Sequence, residues 1–139
     1  MIKDDCIFCK LANGVFPTNT VYEDDDFRVI LDAAPAAKGH SLILPKQHFE
    51  NLYTAEDETL AKILPLAKKV AAAMKKTFNC DGVNIVQNNE PAAGQTVFHL
   101  HVHAIPRFND DNVGIGWPQN ETDADEQVKI AASLASNIS

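Results

Sequence analysis

The sequence predicts an α+β domain: an antiparallel sheet of about five strands, one long helix packed on it, and a short C-terminal helix. Three observations carry this expectation. Short apolar or alternating runs cluster before residue 45 and again after residue 82, which is strand behaviour. Between them Leu60, Ile63, Leu64, Ala67, Val70, Ala71, Met74 and Phe78 recur at the spacing of one helix face. The connections are of hairpin length, shorter than the crossovers that parallel strands require.

Taken in order, Thr20 to Glu23 and Phe27 to Leu31 read as two strands joined by the acidic turn Asp24-Asp25-Asp26. Ser41 to Leu44 is a third, entered through Lys38-Gly39. Thr54 is placed to cap the long helix, with Asp57 as the acidic half of a capping box. Pro65 should kink or break that helix, and Asn79 to Gly82 should end it. Val83 to Val86 and Val97 to Ile105 complete the strands, separated by the loop Gln87 to Thr96, with Pro106 stopping the last one. A polar tail follows Trp117-Pro118, apart from a weak helical pattern near Asp125 to Leu134.

At 139 residues the chain is expected to form one domain, and 45% hydrophobic with 22% charged residues is the balance of a soluble globular protein. A net charge of −7 argues against a nucleic-acid polymer as partner, because phosphate backbones are held by clustered Lys and Arg. A small phosphate ligand stays open, since local donors override the global sign. The start, MIKDDCIFCK, holds no apolar run fit for a signal peptide, and no segment is expected to span a membrane. Three cysteines, two of them spaced CxxC, suit a reducing cytoplasm better than a disulfide framework.

The densest chemistry lies in FHLHVHAIPR, residues 98 to 107, where His99, His101 and His103 alternate with apolar residues. On a strand these three rings share one face at roughly 6.6 Å intervals, while Phe98, Leu100 and Val102 face a core. A helix would scatter them. The plain alternative is a solvated polar face, but such faces ordinarily mix Thr, Lys and Glu. His40 and His48 flank the third strand and can sit at its two ends; if that strand lies beside the triad strand, all five rings converge. The CxxC of Cys6 and Cys9 reads three ways: half a zinc site, a redox pair, or two small buried side chains.

His99-Leu100-His101-Val102-His103-Ala104-Ile105, together with CIFCK, VILDAAPAAKGHSLILPKQH and GQTVFHLHVHAIPR, resembles the histidine triad (HIT) family of nucleotide-binding hydrolases and transferases. The likeness covers roughly residues 6 to 107 and implies that His101 attacks the α-phosphate of a nucleotide. A covalent nucleotidyl-imidazole then forms, which water cleaves. It further implies that His103 contacts the phosphate or the leaving group and that His40 borders the phosphate site. Asp32 would accept from ribose hydroxyls, and Asn88 would lie against the phosphate region. Gly94, Gln95 and Thr96 would cradle the anion, and Ile30 and Leu42 would line a base pocket. Read without the family, Asp32 and Asn88 are equally suited to turns.

Similarity to bacterial members, supported by spacing, adds a tetrahedral zinc site of Cys6, Cys9, His48 and His99, which would make His99 structural. The Hint-like branch implies cleavage of AMP or another nucleoside monophosphate from an amine. Alternatives are cleavage of dinucleoside polyphosphates, as in the Fhit-like branch, or a non-catalytic zinc-stabilised nucleotide sensor. A homodimer built on the long helix and a central strand is implied as well. On this reading residues 1–118 form the HIT domain and residues 119–139 an extension.

Overall fold

The computed structural model describes residues 2–138. Five strands, β1 (Thr20–Glu23), β2 (Phe27–Leu31), β3 (Ser41–Pro45), β4 (Gly82–Val86) and β5 (Val102–Arg107), form one sheet in the order β1-β2-β3-β5-β4, every pair antiparallel. Three helices accompany it: α1 (Ile7–Ala12), α2 (Asp57–Phe78) and α3 (Ala124–Ser136). The expected α+β architecture is what forms. In the β1–β2 turn, Asp24 Oδ1 accepts from the amides of Asp26 (2.8 Å) and Phe27 (2.7 Å), which closes the hairpin.

The period of two along the strands sorts side chains onto two faces. Phe27, Val29, Ile43, Leu100, Val102 and Ala104 join Ile63, Leu66, Ala67, Val70 and Met74 of α2 in the larger core. Ile30, Leu42 and Leu44 point the other way, against Ala12, Phe8 and Leu11 from α1. In the ladder His103 pairs with Leu42, so His103 stands on the α1 face. The fold thereby delivers imidazoles to the side of the sheet that the long helix leaves uncovered.

Several details differ from expectation for identifiable reasons. Thr54 does not cap α2: its Oγ1 accepts from the amides of Glu50 (3.0 Å) and Asn51 (3.3 Å), and the helix begins three residues later with Glu56 at the N-cap. Pro65 sits inside one continuous helix, on its exposed face, where the carbonyl of Ala61 freed by the missing N–H is open to water. Leu64 is 69% exposed and Leu66 takes its place in the core. Asn79, left-handed at φ 51°, ends the helix, while Gly82 belongs to β4.

The triad strand is shorter at its start than predicted and longer at its end. Ladder pairing begins at Val102, because β3 meets β5 only over Val102–Ala104. Upstream, Leu100 is held by a 2.6 Å bond from its amide to the Phe49 carbonyl, and Phe98 is half exposed rather than in the core. Pro106 continues the strand opposite Val83: beyond Ala104 the β3 side has no ladder, so the missing donor costs nothing there. Helix α1 was not anticipated, and α3 forms as expected with every residue exposed.

Gly39, at φ 92°, carries the turn into β3 directly before His40. A Cβ there would lie 2.4 Å from Phe78 Cε2, in a backbone region that suits glycine. Gly39→Ala is therefore expected to lose about 2–4 kcal/mol of stability, from left-handed strain plus overpacking, in urea unfolding followed by circular dichroism.

Candidate active site and metal cluster

On the α1 face a cleft of about 730 Å³ opens between α1, β2 and the segment before β5. That volume suits a small organic ligand. Its lining includes Phe8, Leu11, Ile30, Leu42 and Val97 as apolar wall, with Asp32, Thr96, His101 and His103 as polar groups. Of the expected residues, Ile30, Leu42, Asp32, Thr96, His101 and His103 thus share one space. His40 stands behind His103, with its Nε2 2.9 Å from His103 Nδ1.

The hydrogen bonds fix which ring nitrogen carries each proton. A carbonyl oxygen only accepts, so the 2.7 Å contact between His101 Nδ1 and the His99 carbonyl places the proton on Nδ1. The lone pair of the neutral ring is then on Nε2. The Ala36 amide donates to His40 Nδ1 (2.9 Å), so neutral His40 carries its proton on Nε2 and donates to His103 Nδ1. His103 keeps its own proton on Nε2. Asp32 Oδ2 lies 3.5 Å from His40 Nε2, while Asp32 Oδ1 accepts from the Ala34 amide at 2.8 Å. Asp32 performs turn duty with one oxygen and faces the histidines with the other.

Burial, the largest influence in each case, pushes all three rings below the ordinary imidazole value. His101 is supported against this by the His99 carbonyl and by Asp32. His40 is likewise drawn up by Asp32 but remains lowered. His103, with His101 and His40 as added neighbours, falls to about 4. Three neutral imidazoles beside a small cleft form a basic, polarisable cluster suited to nucleophilic and acid–base work near pH 7.

The other expected residues sit elsewhere. Gln95 is buried away from the cleft: its Oε1 accepts from the Glu90 amide (2.7 Å) and its Nε2 donates to the carbonyls of Glu50 (2.7 Å) and Val97 (3.1 Å). The amides of Gly94 and Gln95 already donate to the carbonyls of Pro91 (3.0 Å) and Glu90 (3.2 Å), so they do not form the expected anion cradle. Gly94 itself, at φ 96°, ends a single 3₁₀ turn over Pro91–Ala93, and Asn88 lies near it outside the cleft lining. Of Gly94, Gln95 and Thr96, only Thr96 reaches the cleft. Sequence reasoning overlooked Phe8 and Leu11, although with Ala12 they follow an i, i+3, i+4 apolar stripe.

The five histidines divide into two groups. His99 turns to the Cys6–Cys9 segment, its Nδ1 3.4 Å from each thiol sulfur, and His48 Nδ1 lies 3.3 Å from Cys9 Sγ. The four ligand atoms of Cys6, Cys9, His48 and His99 all lie within 4.8 Å of one another. Tetrahedral zinc, with bonds of about 2.3 Å to sulfur and 2.0–2.1 Å to nitrogen, sets S···N edges of roughly 3.5 Å, so the donor set fits that metal. His99 Nε2 donates to the Pro45 carbonyl (2.8 Å), the outer hydrogen bond typical of a metal-bound imidazole; His48 Nε2 has no such partner among the described residues. Burial pushes the Cys9 thiol up, and a bound cation would reverse that by stabilising the thiolate.

Comparison with known proteins agrees with this geometry. A family model described as the HIT domain matches residues 13–110, beginning just after the Cys6–Cys9 segment. Adenosine 5′-monophosphoramidase hnt1 of Schizosaccharomyces pombe is 37% identical over 134 residues, covering 96% of this chain and 98% of its own. The crystal structure of a HIT family member from Bacillus subtilis superposes with a TM-score of 0.91 at 35% identity, over 98% of this chain and 99% of that one. A zinc-bound histidine triad protein from Mycobacterium smegmatis does so at 0.76 and 34% identity, over 96% and 98%. With its family signature, its fold and its paired histidines in agreement, the chain belongs to the histidine triad family.

Proposed function

We propose that this protein is a hydrolase that cleaves conjugates of AMP or another nucleoside monophosphate at the α-phosphate, acting as a nucleoside phosphoramidase. The observation that carries this reading is the His101 tautomer: the 2.7 Å bond from Nδ1 to the His99 carbonyl leaves a lone pair on Nε2 of a ring that lines the cleft. In the proposed reaction the base rests between Phe8, Leu11, Ile30 and Leu42, and Asp32 accepts from the ribose hydroxyls. His101 Nε2 attacks the α-phosphorus; the P–N bond to the leaving amine breaks, and the amine nitrogen takes its proton from His103 Nε2–H, which is restored by the proton that water releases in the second step. His103, holding Nε2–H and backed by His40, supplies a hydrogen bond to the phosphoryl oxygens or the leaving group. Water then attacks phosphorus, the P–Nε2 bond breaks, and the nucleoside monophosphate leaves. The name of the fission-yeast relative supports this substrate class.

We also infer that Cys6, Cys9, His48 and His99 hold one zinc ion. Its chemistry is that of a closed structural site, tying the N-terminal segment to the triad segment. The donor spacing and the zinc-bound mycobacterial neighbour support this. A homodimer is the proposed assembly, and residues 119–139 are proposed to lie outside the catalytic domain of residues 1–118. No helix among the described residues is long and apolar enough to cross a membrane.

Three outcomes test this reading. His101→Ala should lower phosphoramidate turnover by at least a thousandfold while AMP still binds, and mass spectrometry of the quenched wild-type reaction should map a nucleotidyl adduct to His101. AMP binding with neither turnover nor adduct would make the protein a sensor. Metal analysis should find one zinc per chain, and chelation under reducing conditions should cost several kcal/mol of stability, read as a lower Tm. The third outcome concerns pH. His103 titrates at about 4 when folded and near the ordinary value of about 6.5 when unfolded. The unfolded chain therefore takes up protons first, and stability should fall as pH drops from about 6.5 to about 4. Unfolding curves of His103→Asn should show a shallower fall across that window.

A further inference from the structure

Phe8 touches both functional groups of this molecule. Its ring meets His101 edge-on, with centroids 4.9 Å apart and planes at 87°, and meets His99 in the same manner at 6.2 Å and 77°. It sits between Cys6 and Cys9 on α1, so the side chains flanking it reach the metal cluster while its own ring enters the cleft wall. A six-residue helix is well below the length at which a helix persists alone, so outside ties set the position of α1. Those ties include the packing of Phe8, Leu11 and Ala12 on Ile30, Leu42 and Leu44, the Arg28 guanidinium on the Leu11 carbonyl (3.2 Å), the Asn13 side chain bonded to the carbonyls of Cys9 and Lys46, and the Cys–His cluster. Besides the packing of Phe8 itself, the cluster is the tie that acts on the first turn, through Cys6 and Cys9.

The ring of His101 has its own need for restraint. Among the described residues one hydrogen bond, from Nδ1, orients it, and that bond alone does not set the tilt of the ring about its axis. Two other rings stand about as near: Phe8 at 4.9 Å and His103 at 5.0 Å. His103 is tied to His40, and Phe8 is tied to the metal cluster through α1. The nucleophile is bracketed by side chains that are each anchored elsewhere.

We propose that Phe8 is a positioning residue for His101: its edge contact holds the plane of the imidazole, and occupancy of the Cys6–Cys9–His48–His99 centre holds Phe8. This rests on the nucleotidyl-transfer reading for its kinetic arm and on the metal reading for its second half. A wall that only bound the base would act on substrate affinity; a positioning residue acts on the rate of attack. The loss of one aromatic pair corresponds to about a three- to tenfold change in rate.

The test compares wild type with Phe8→Leu and Phe8→Tyr in three measurements: zinc per chain, kcat and KM for an adenosine phosphoramidate, and the imidazole signals of His101 in histidine-labelled NMR spectra. Phe8→Leu should keep one zinc per chain, lose about three- to tenfold in kcat over and above any rise in KM from the altered base wall, and broaden or split the His101 signals. Phe8→Tyr, which keeps the ring edge, should keep the His101 signals sharp and lose less in kcat than Phe8→Leu. Zinc-free wild type, prepared by chelation under reductant, should show the Phe8→Leu pattern at His101; Cys6→Ser replaces it should the chelated protein unfold, and Phe8→Met replaces Phe8→Leu on the same ground. A change confined to KM, loss of zinc from Phe8→Leu, or sharp wild-type-like His101 signals after zinc removal would each overturn the proposal. Absence of turnover in wild type would instead overturn the hydrolase reading, and the His101 signals would still decide the role of Phe8.

Discussion

The 2.7 Å hydrogen bond from His101 Nδ1 to the carbonyl of His99 joins two demands that the chain must meet together. It is a bond from a side chain to the backbone two residues upstream, made across the bent segment that leads into β5. That segment is positioned by the larger core: Leu100, Val102 and Ala104 are buried with α2, and burying them turns His101 and His103 to the other side. Each buried aliphatic side chain contributes on the order of 1.5–3 kcal/mol. The hydrogen bond itself contributes only about 1 kcal/mol net. Packing holds the segment in place, and the weaker bond selects the tautomer.

The same economy organises the second half of the cluster. His40 is fixed by the turn amide of Ala36, and through its Nε2–H it sets the tautomer of His103. Gly39 permits that turn because its backbone is left-handed and Phe78 lies where a Cβ would go. Asp32 stays near enough to draw His40 upward, yet burial prevails and the ring is neutral. A charged imidazole at His101 would have no lone pair on Nε2, so the burial that keeps the ring neutral suits the proposed reaction. His99, by contrast, gives Nε2–H to Pro45 and turns Nδ1 to the two cysteines. Two histidines only two positions apart thereby take opposite tautomers and separate tasks.

Much of this was legible in the sequence, and the part that was not has physical causes. Strand positions, the long helix and the alternation of His with Leu and Val follow from periodicity, which packing enforces over many residues. The helix start failed because Thr54 has two ways to use its hydroxyl, and nearby amides took it. Pro65 and Pro106 were tolerated because each stands where its missing donor is not required, a fact of neighbours rather than of local sequence. Helix α1 shows only one turn of an apolar stripe, Phe8, Leu11 and Ala12, so Phe8 passed as a spacer between two cysteines. The backbone amide of Gln95 was assigned to the anion site on resemblance alone, whereas it donates to the Glu90 carbonyl, and the side chain is taken up by Glu50, Glu90 and Val97.

The central claim is a statement about protons: a neutral His101 protonated on Nδ1, and a His40–His103 pair in which each ring keeps its proton on Nε2. Neutron diffraction from deuterium-exchanged crystals at pH 7 locates those nuclei directly. Deuterium on His101 Nδ1, His40 Nε2 and His103 Nε2, with His101 Nε2 bare, is the predicted map. Deuterium on His101 Nε2 would contradict it, because the ring would then have no lone pair to offer to phosphorus.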